Sequence, residues 1–287
     1  LVRSRGLGDV YKRQLEEYQK IELEHYRRFL MKESPYFKEG IPSDFRMNKA
    51  FMMSHFNELN TQGVDRDECL SIAMNSEKTR DFTQLQGQIA VGLSSGTSGH
   101  RGLFITTEEE RSMWAAAVLA KMLPKGRCFG HRIAFFLRAD NELYQTVNSP
   151  LIRLEYFDTF KSVTEHIERL NHYQPTILVA PASMLLDLAK ELQQGNLQIH
   201  PIKIVSVAEI LEARDAEFIR EVFEIDILDQ VYQATEGFLA CTCPCGHLHL
   251  NEDIIHVEKH YIGAKRFYPV ITVPCLLYTS PSPRDRT

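Results

Sequence analysis

Apolar residues recur at helical spacing across Leu15–Leu30. Leu15, Tyr18, Ile21 and, less regularly, Tyr26, Phe29 and Leu30 line one face of a segment otherwise rich in Glu, Lys and Arg, which predicts an amphipathic helix. Pro35 and Pro42 bracket a turn region. Asn48–Glu58 and Asp65–Asn75 read as two further short helices, broken by Asn60-Thr61-Gln62-Gly63. From Gln88 the period changes from helical spacing to alternation. Strands are predicted at Ile89–Leu93, Arg132–Leu137, Leu151–Phe157, Thr176–Ala180, Lys203–Val207, Ile225–Tyr232, Phe238–Thr242 and Asp253–Glu258. Helical patterns lie between several of them. Thr107–Leu123 opens with Thr-Glu-Glu-Glu, a capping box with Thr107 as cap and Glu110 three residues on. Pro181–Leu192 sets Met184, Leu185, Leu188 and Leu192 on one stripe, and Arg214–Phe223 is a third helix. Strands alternating with helices predict an α/β fold: a mostly parallel sheet flanked by helices, with a helical preface in front of it. Ligands of such sheets bind outside the carboxyl ends of the strands.

The two ends of the chain carry their own signal. Asp9–Gln14 can be encoded by GAT GTG TAT AAG AGA CAG, and the reverse complement of that string, read in another frame, gives Cys-Leu-Leu-Tyr-Thr-Ser, which is Cys275–Ser280. Segments of this kind look like translated adapter and are set aside before fold reasoning. The expected division is a non-native flank at 1–14, a helical N-terminal region at 15–85, an incomplete α/β nucleotide-binding core at 86–274 and a second non-native flank at 275–287. The flanks are basic on balance, so the formal charge of −5 for the whole chain becomes −9 for residues 15–274, which argues against nucleic acid as the main partner. No apolar run approaches the roughly 18 residues of a membrane span. Without Cys275, the cysteines are Cys69, Cys128, Cys241, Cys243 and Cys245. An odd set with three bunched together is no disulfide framework, and it points to a reducing, cytoplasmic setting.

The densest functional signal is Val91–Gly102, Val-Gly-Leu-Ser-Ser-Gly-Thr-Ser-Gly-His-Arg-Gly. An apolar run ends in glycines, whose backbone N–H groups can turn toward one point, and in hydroxyls that add donors around it. Such a loop suits a polyphosphate, and Arg101 can supply the cation. The G-x-x-x-x-G-K-[ST] spacing and its Lys are absent. A second motif, Asp229–Gly237, follows a predicted strand and holds Tyr232, Thr235 and Glu236 within five residues. An aromatic face can stack on a base, a hydroxyl can bond a phosphate oxygen, and a carboxylate can hold Mg²⁺.

In this order the two motifs resemble those of the adenylate-forming superfamily, which includes acyl-CoA synthetases, luciferases and nonribosomal adenylation domains. Val91–Gly102 resembles its phosphate loop and Tyr232–Gly237 its Tyr-Gly-x-Thr-Glu motif, with Gln233 in place of the Gly. Thr176–Ser183 and Ile204–Glu209 resemble the elements lining its acyl and nucleotide pocket, and His247–Glu258 resembles the branch containing phenylacetate–CoA ligases and deazaflavin-cofactor adenylating synthetases. The resemblance covers most of Lys49–Thr272 and implies an AMP-forming ligase using ATP and Mg²⁺. A small carboxylate (or a phenolic hydroxyl in the deazaflavin branch) is adenylated, and CoA or another thiol then takes the acyl group. It also implies roles. Ser94, Ser95, Gly96, Thr97, Ser98, Gly99 and Gly102 hold the β- and γ-phosphates. Thr235 meets the α-phosphate and Glu236 ligates Mg²⁺. Tyr232 and Gln233 lie near adenine, flanked by Ala208 and Glu209, and the phosphate loop faces Glu236 across one cleft. The family's loop usually ends in Lys, where this chain has His100-Arg101. Its ribose-binding Asp, hinge and C-terminal catalytic Lys have no counterpart before residue 274, so weak or no adenylation is expected of this segment alone.

Cys241-Thr-Cys243-Pro-Cys245-Gly-His247-Leu-His249 gathers soft ligands on a predicted hairpin turn. A structural Zn²⁺ site would use Cys243, Cys245 and His249, with Cys241 or His247 as fourth ligand. The one-residue spacing, against the usual two to four, leaves a metal-free hairpin as the competing reading. His131, Arg138, Asp140, Asn141 and Tyr144, with Phe135 and Phe136, cluster where the family seats its acyl group, and ordinary core plus loop competes there too. The alternative functions are a non-catalytic nucleotide- or zinc-binding protein with the same fold, and a kinase-type phosphotransferase, which the missing Lys-[ST] disfavours.

Overall fold

The computed structural model describes residues 2–79, 81, 85–94, 101–124, 126, 129–138, 146–234, 237–263 and 266–274. In its central sheet, neighbouring residues of one strand serve two different cores. β4 (His131–Leu137), β5 (Ile152–Asp158), β6 (Ile177–Pro181), β7 (Lys203–Val207) and β8 (Leu228–Ala234) are mutually parallel in the order β5-β4-β6-β7-β8. Two antiparallel strands, β9 (Gly237–Thr242) and β10 (Leu248–Leu250), extend this into a seven-stranded sheet beyond β8. Side chains alternate across a strand. Ala134, Phe136, Leu178 and Ile204 accordingly join a core with Leu170, Leu185, Leu188 and Ile219. Ile133, Phe135, Ile177 and Val205 join another with Trp114, Ala115 and Met122.

The helices that supply these layers are α5 (Glu108–Met122) on one face and α6 (Thr164–Tyr173), α7 (Ala182–Gln193) and α8 (Ala213–Phe223) on the other. This is the mixed α/β architecture that the alternation predicts, with the sheet buried on both faces as parallel sheets require. α6 lacks a clean sequence signature because its buried face carries His166 beside Leu170. His166 is satisfied in place: its Nε2 lies 3.0 Å from the Asp158 carbonyl, and its ring meets Phe136 and Phe157 edge-on.

α5 begins as the sequence predicts. The Thr107 hydroxyl accepts from the Glu110 amide at 3.3 Å, while Glu110 Oε2 accepts from the Thr107 amide at 2.8 Å. Thr107→Ala removes one half of this reciprocal cap. It should lower the unfolding free energy by about 1 kcal/mol, read as a shift of the urea midpoint at unchanged slope.

The preface comprises α1 (Val2–Glu33), α2 (Lys49–Ser54), α3 (Phe56–Leu59) and α4 (Arg66–Thr79). One helix was predicted across Asn48–Glu58, and the structure divides it at His55, whose backbone leaves the helical range at φ −114° and ψ 20°. α2 to α4 pack against a second, three-stranded antiparallel sheet, β1 (Leu85–Gln86), β2 (Ile89–Leu93) and β3 (Leu103–Thr106). A last hairpin joins β11 (His256–Gly263) to β12 (Arg266–Thr272). α1 reaches across to the far end of the chain. The Gln19 amide donates to the carbonyls of Glu252 (2.6 Å) and Ile255 (3.2 Å), and Arg46 pairs with Glu258 at 2.6 Å. Among the described residues no helix is long and apolar enough to cross a membrane.

Candidate active site

In the parallel part of the sheet, chain order reverses between β4 and β6: β5 lies on one side of β4, and the next strand crosses to the other. The crevice outside the carboxyl ends at such a reversal is where open α/β sheets bind ligands. Five strand ends meet that edge. They are Leu137-Arg138 at β4, Asp158 at β5, Pro181–Ser183 at β6, Val207–Glu209 at β7 and Tyr232–Ala234 at β8.

Ala208 and Glu209 form a rigid corner there. Ala208 has φ +63°, a left-handed backbone that side chains other than glycine seldom adopt. The turn carries Glu209 back over the neighbouring strand end. Its two carboxylate oxygens accept from the Ser183 amide (2.8 Å) and the Ser183 hydroxyl (3.1 Å) at the start of α7. A carboxylate at a helix N-terminus satisfies amides that have no partner within the helix and is favoured by the helix dipole. Glu209 therefore ties the ends of β6 and β7 together.

On the adjacent strand, the register of β8 against β9 shifts between Tyr232 and Gln233. Such bulges re-aim side chains at strand ends. Tyr232 is half-buried and packs beside Leu239, Ile255 and Val273. Thr235 and Glu236 lie outside the described residues.

The glycine- and hydroxyl-rich loop is held differently from the expectation. It does not follow a strand of the parallel sheet. β2 pairs antiparallel with β3, from Leu93↔Leu103 to Ala90↔Thr106, so residues 94–102 form the connection of a hairpin. The four-residue β3 is too short to stand out from the helix signal that begins at Thr107. The loop's stem is closed by the Ser94 amide on the Gly102 carbonyl (2.8 Å) and the Gly102 amide on Ser94 Oγ (2.7 Å). Ser95, Gly96, Thr97, Ser98, Gly99 and His100 lie outside the described residues. Gly92 serves packing: a Cβ there would sit 2.2 Å from the Phe104 ring of the opposite strand.

Arg101 is engaged by the preface. The sequence offers it as the loop's cation, but its guanidinium forks onto both oxygens of Glu77 in α4, and its Nε donates to the Ser94 carbonyl at 3.0 Å. A planar fork committed to a carboxylate cannot also present a bidentate face to phosphate. Arg101 fastens the loop stem to the preface. Sequence reasoning also missed a second cation beside the stem: Lys49, the first residue of α2, reaches Ser94 Oγ with its ammonium at 3.3 Å.

The cysteine–histidine group does not assemble. Cys241 turns into the core, where its thiol donates to Asn251 Oδ1 at 3.3 Å and burial pushes its pKa up. β9 ends at Thr242, so Cys243 lies beyond the strand and does not share the face of Cys241. Cys243 sits in the turn, its amide on the His247 carbonyl at 2.8 Å. Its thiol is held below the usual range, chiefly by the Cys245 and His247 amides. Cys245, His247 and His249 are exposed. Among the described residues no three His, Cys, Asp or Glu side chains converge as a metal site, so the zinc set Cys241, Cys243, Cys245 and His249 is not formed.

The cluster after β4 also separates. His131 is buried at the amino end of that strand, 3.3 Å from Thr176 Oγ1, away from the carboxyl edge. Phe135 and Phe136 enter opposite cores. Arg138 stays at the edge, stacked over Phe160 at 5.2 Å. Asp140, Asn141 and Tyr144 lie outside the described residues.

No protein-family model and no curated protein matches the chain. Solved structures do resemble it. A 2-hydroxyisobutyryl-CoA ligase, in an open conformation with 2-HIB-AMP and CoA, superposes with a TM-score of 0.63 at 13% identity, covering 92% of this chain and 66% of that one. The amide bond synthetase of Marinactinospora thermotolerans gives 0.50 at 16% identity over 70% and 43% of the two chains. The anthranilate CoA ligase AuaEII, solved with anthranoyl-AMP, gives 0.50 at 12% over 65% and 40%. The chain thus spans about two thirds of the length of the first and less than half of the others. At such identities the likeness is one of fold.

Proposed function

We infer that this chain is the nucleotide-binding part of an AMP-forming ligase that activates a small carboxylate as its adenylate for transfer to CoA or another nucleophile. The observation that carries this reading is the carboxyl edge of the parallel sheet. The ends of β6, β7 and β8 converge there, and the left-handed Ala208 corner is pinned by Glu209 to the start of α7. A rigid corner beside a half-buried tyrosine suits a flat purine, and Tyr232, Gln233, Ala208 and Glu209 are the residues assigned to it. The fold shared with two ligases that hold an acyl-AMP supports the same reading. From their motifs alone, the hydroxyls and amides of residues 94–99 and Gly102 are assigned to the β- and γ-phosphates, Thr235 to the α-phosphate and Glu236 to the magnesium ion that accompanies ATP. Donors aimed in advance at the transferring phosphoryl oxygens stabilise the charge that develops there. The phenylacetate–CoA ligase branch is the narrower assignment, resting on residues 247–258.

Titration calorimetry with ATP, AMP and a sulfamoyl-adenosine analogue of a small aryl carboxylate tests this. All three should bind, the analogue most tightly because it fills the acyl and nucleotide subsites together. No heat from any of them at millimolar concentration overturns the reading. The engagement of Arg101 by Glu77 favours one rival, a protein that binds nucleotide without turnover; ATP binding with no pyrophosphate exchange on any acid would select it.

A further inference from the structure

We propose that Lys49, from the helical preface, is the cation that meets the phosphate tail at the Ser94–Gly102 stem. The inference rests on the nucleotide reading above and adds a residue from a different part of the chain. Among the described residues, Arg101 and Lys49 are basic side chains that reach this stem. Arg101 is turned away, its fork on Glu77 and its remaining Nε on the Ser94 carbonyl. Lys49 is turned toward it. Its ammonium lies 3.3 Å from Ser94 Oγ, the first hydroxyl of the loop, which also accepts from the Gly102 amide at 2.7 Å.

The approach is built into the backbone. Gly102 lacks the Cβ that would stand 3.1–3.4 Å from the Lys49 Cγ, Cδ and Cε atoms, so the aliphatic stem lies flat on the glycine and delivers the charge to its far side. Lys49 is itself positioned by α2, whose first turn is capped by Asn48 Oδ1 accepting from the Phe51 amide at 2.8 Å. The ammonium and the Gly102 amide both donate to Ser94 Oγ, which leaves the hydroxyl proton as a donor beside a positive charge, a pairing suited to anionic oxygens. Lysine serves phosphate as a point charge and needs no planar alignment.

The test compares unaltered chain, Lys49→Met and Arg101→Met for binding of ATP, inorganic tripolyphosphate and AMP. Methionine keeps the length and apolar stem that pack on Gly102 and removes the charge. Lys49→Met should lose roughly 10- to 100-fold in affinity for ATP and tripolyphosphate, the value of one charge-assisted hydrogen bond. Its AMP affinity should stay unchanged, which shows the fold intact. Arg101→Met should leave the ratio of ATP to AMP affinity where it was. Equal ATP affinity in Lys49→Met and the unaltered chain overturns the proposal, as does a parallel loss of AMP, which marks a structural role. A selective loss in Arg101→Met alone overturns it too. If the unaltered chain binds none of the three ligands, the nucleotide reading itself falls.

Discussion

Phe136→Ala should lower the unfolding free energy by about 3–5 kcal/mol. The side chain is fully buried near the carboxyl end of β4. Its ring stacks on Phe157 at a centroid distance of 4.8 Å and meets His166 edge-on at 5.4 Å. The loss has two parts: the transfer of the ring out of a packed interior, and the cavity left between the sheet and α6, which a close-packed core cannot collapse to fill. Against the 5–15 kcal/mol typical of a whole domain, this is a large share. Equilibrium urea denaturation followed by far-ultraviolet dichroism measures it. Phe136→Leu, which leaves a smaller void, should lose roughly half as much. Equal stability of Phe136→Ala and the unaltered chain would mean that the aromatic stack is absent in solution.

The second large effect is electrostatic. Lys203 at the start of β7 and Asp229 in β8 form an ion pair at 2.8 Å, with side-chain exposures of 17% and 9%. The parallel register sets Val205 opposite Asp229, so the long lysine stem reaches diagonally across the ladder. Asp229→Ala strands an ammonium with little water around it and should cost about 3–5 kcal/mol. Lys203→Met together with Asp229→Leu removes both charges and should recover most of that loss, because an apolar pair of similar volume has no charge to desolvate. The same urea experiment on the two single variants and the double gives the coupling. Strict additivity, with the double variant as unstable as the sum of the singles, would show that the pair is solvated after all.

The period of the side chains made the parallel sheet legible before any coordinate. Lys203–Val207 and Ile89–Leu93 keep their predicted limits, most others shift by one to three residues at their ends, and Asp253–Glu258 overlaps β11 only at residues 256–258. For the central strands β4, β6 and β7, burial on both faces explains this: a strand covered by helices above and below is apolar almost throughout. What the pattern could not convey was which sheet a strand joins. Ile89–Leu93 reads like its neighbours, yet it pairs with the short β3 and leaves the parallel sheet altogether. The orientation of the cations was equally hidden. Arg101 is adjacent to the loop in sequence but is drawn to Glu77, whereas Lys49 is brought to Ser94 from a helix that ends well before the loop begins. His131 belongs by number to the residues around Arg138 but stands at the other end of β4. A contact made through tertiary packing leaves no mark on the spacing of either partner.

The amide of Gln19, held by carbonyls at 252 and 255, spans 233 and 236 positions of the chain. That clasp can close only after residue 255 has left the ribosome. Until then the first helix lacks its link to the far end of the chain, and segments left unpaired during synthesis are open to association with neighbouring nascent chains. Native pairing of such distant segments is slow, because the entropy of closing so wide a loop is lost before the contact returns anything. Synthesis at reduced temperature, which gives the ordering step more time relative to self-association, is the condition under which this protein should accumulate in folded form.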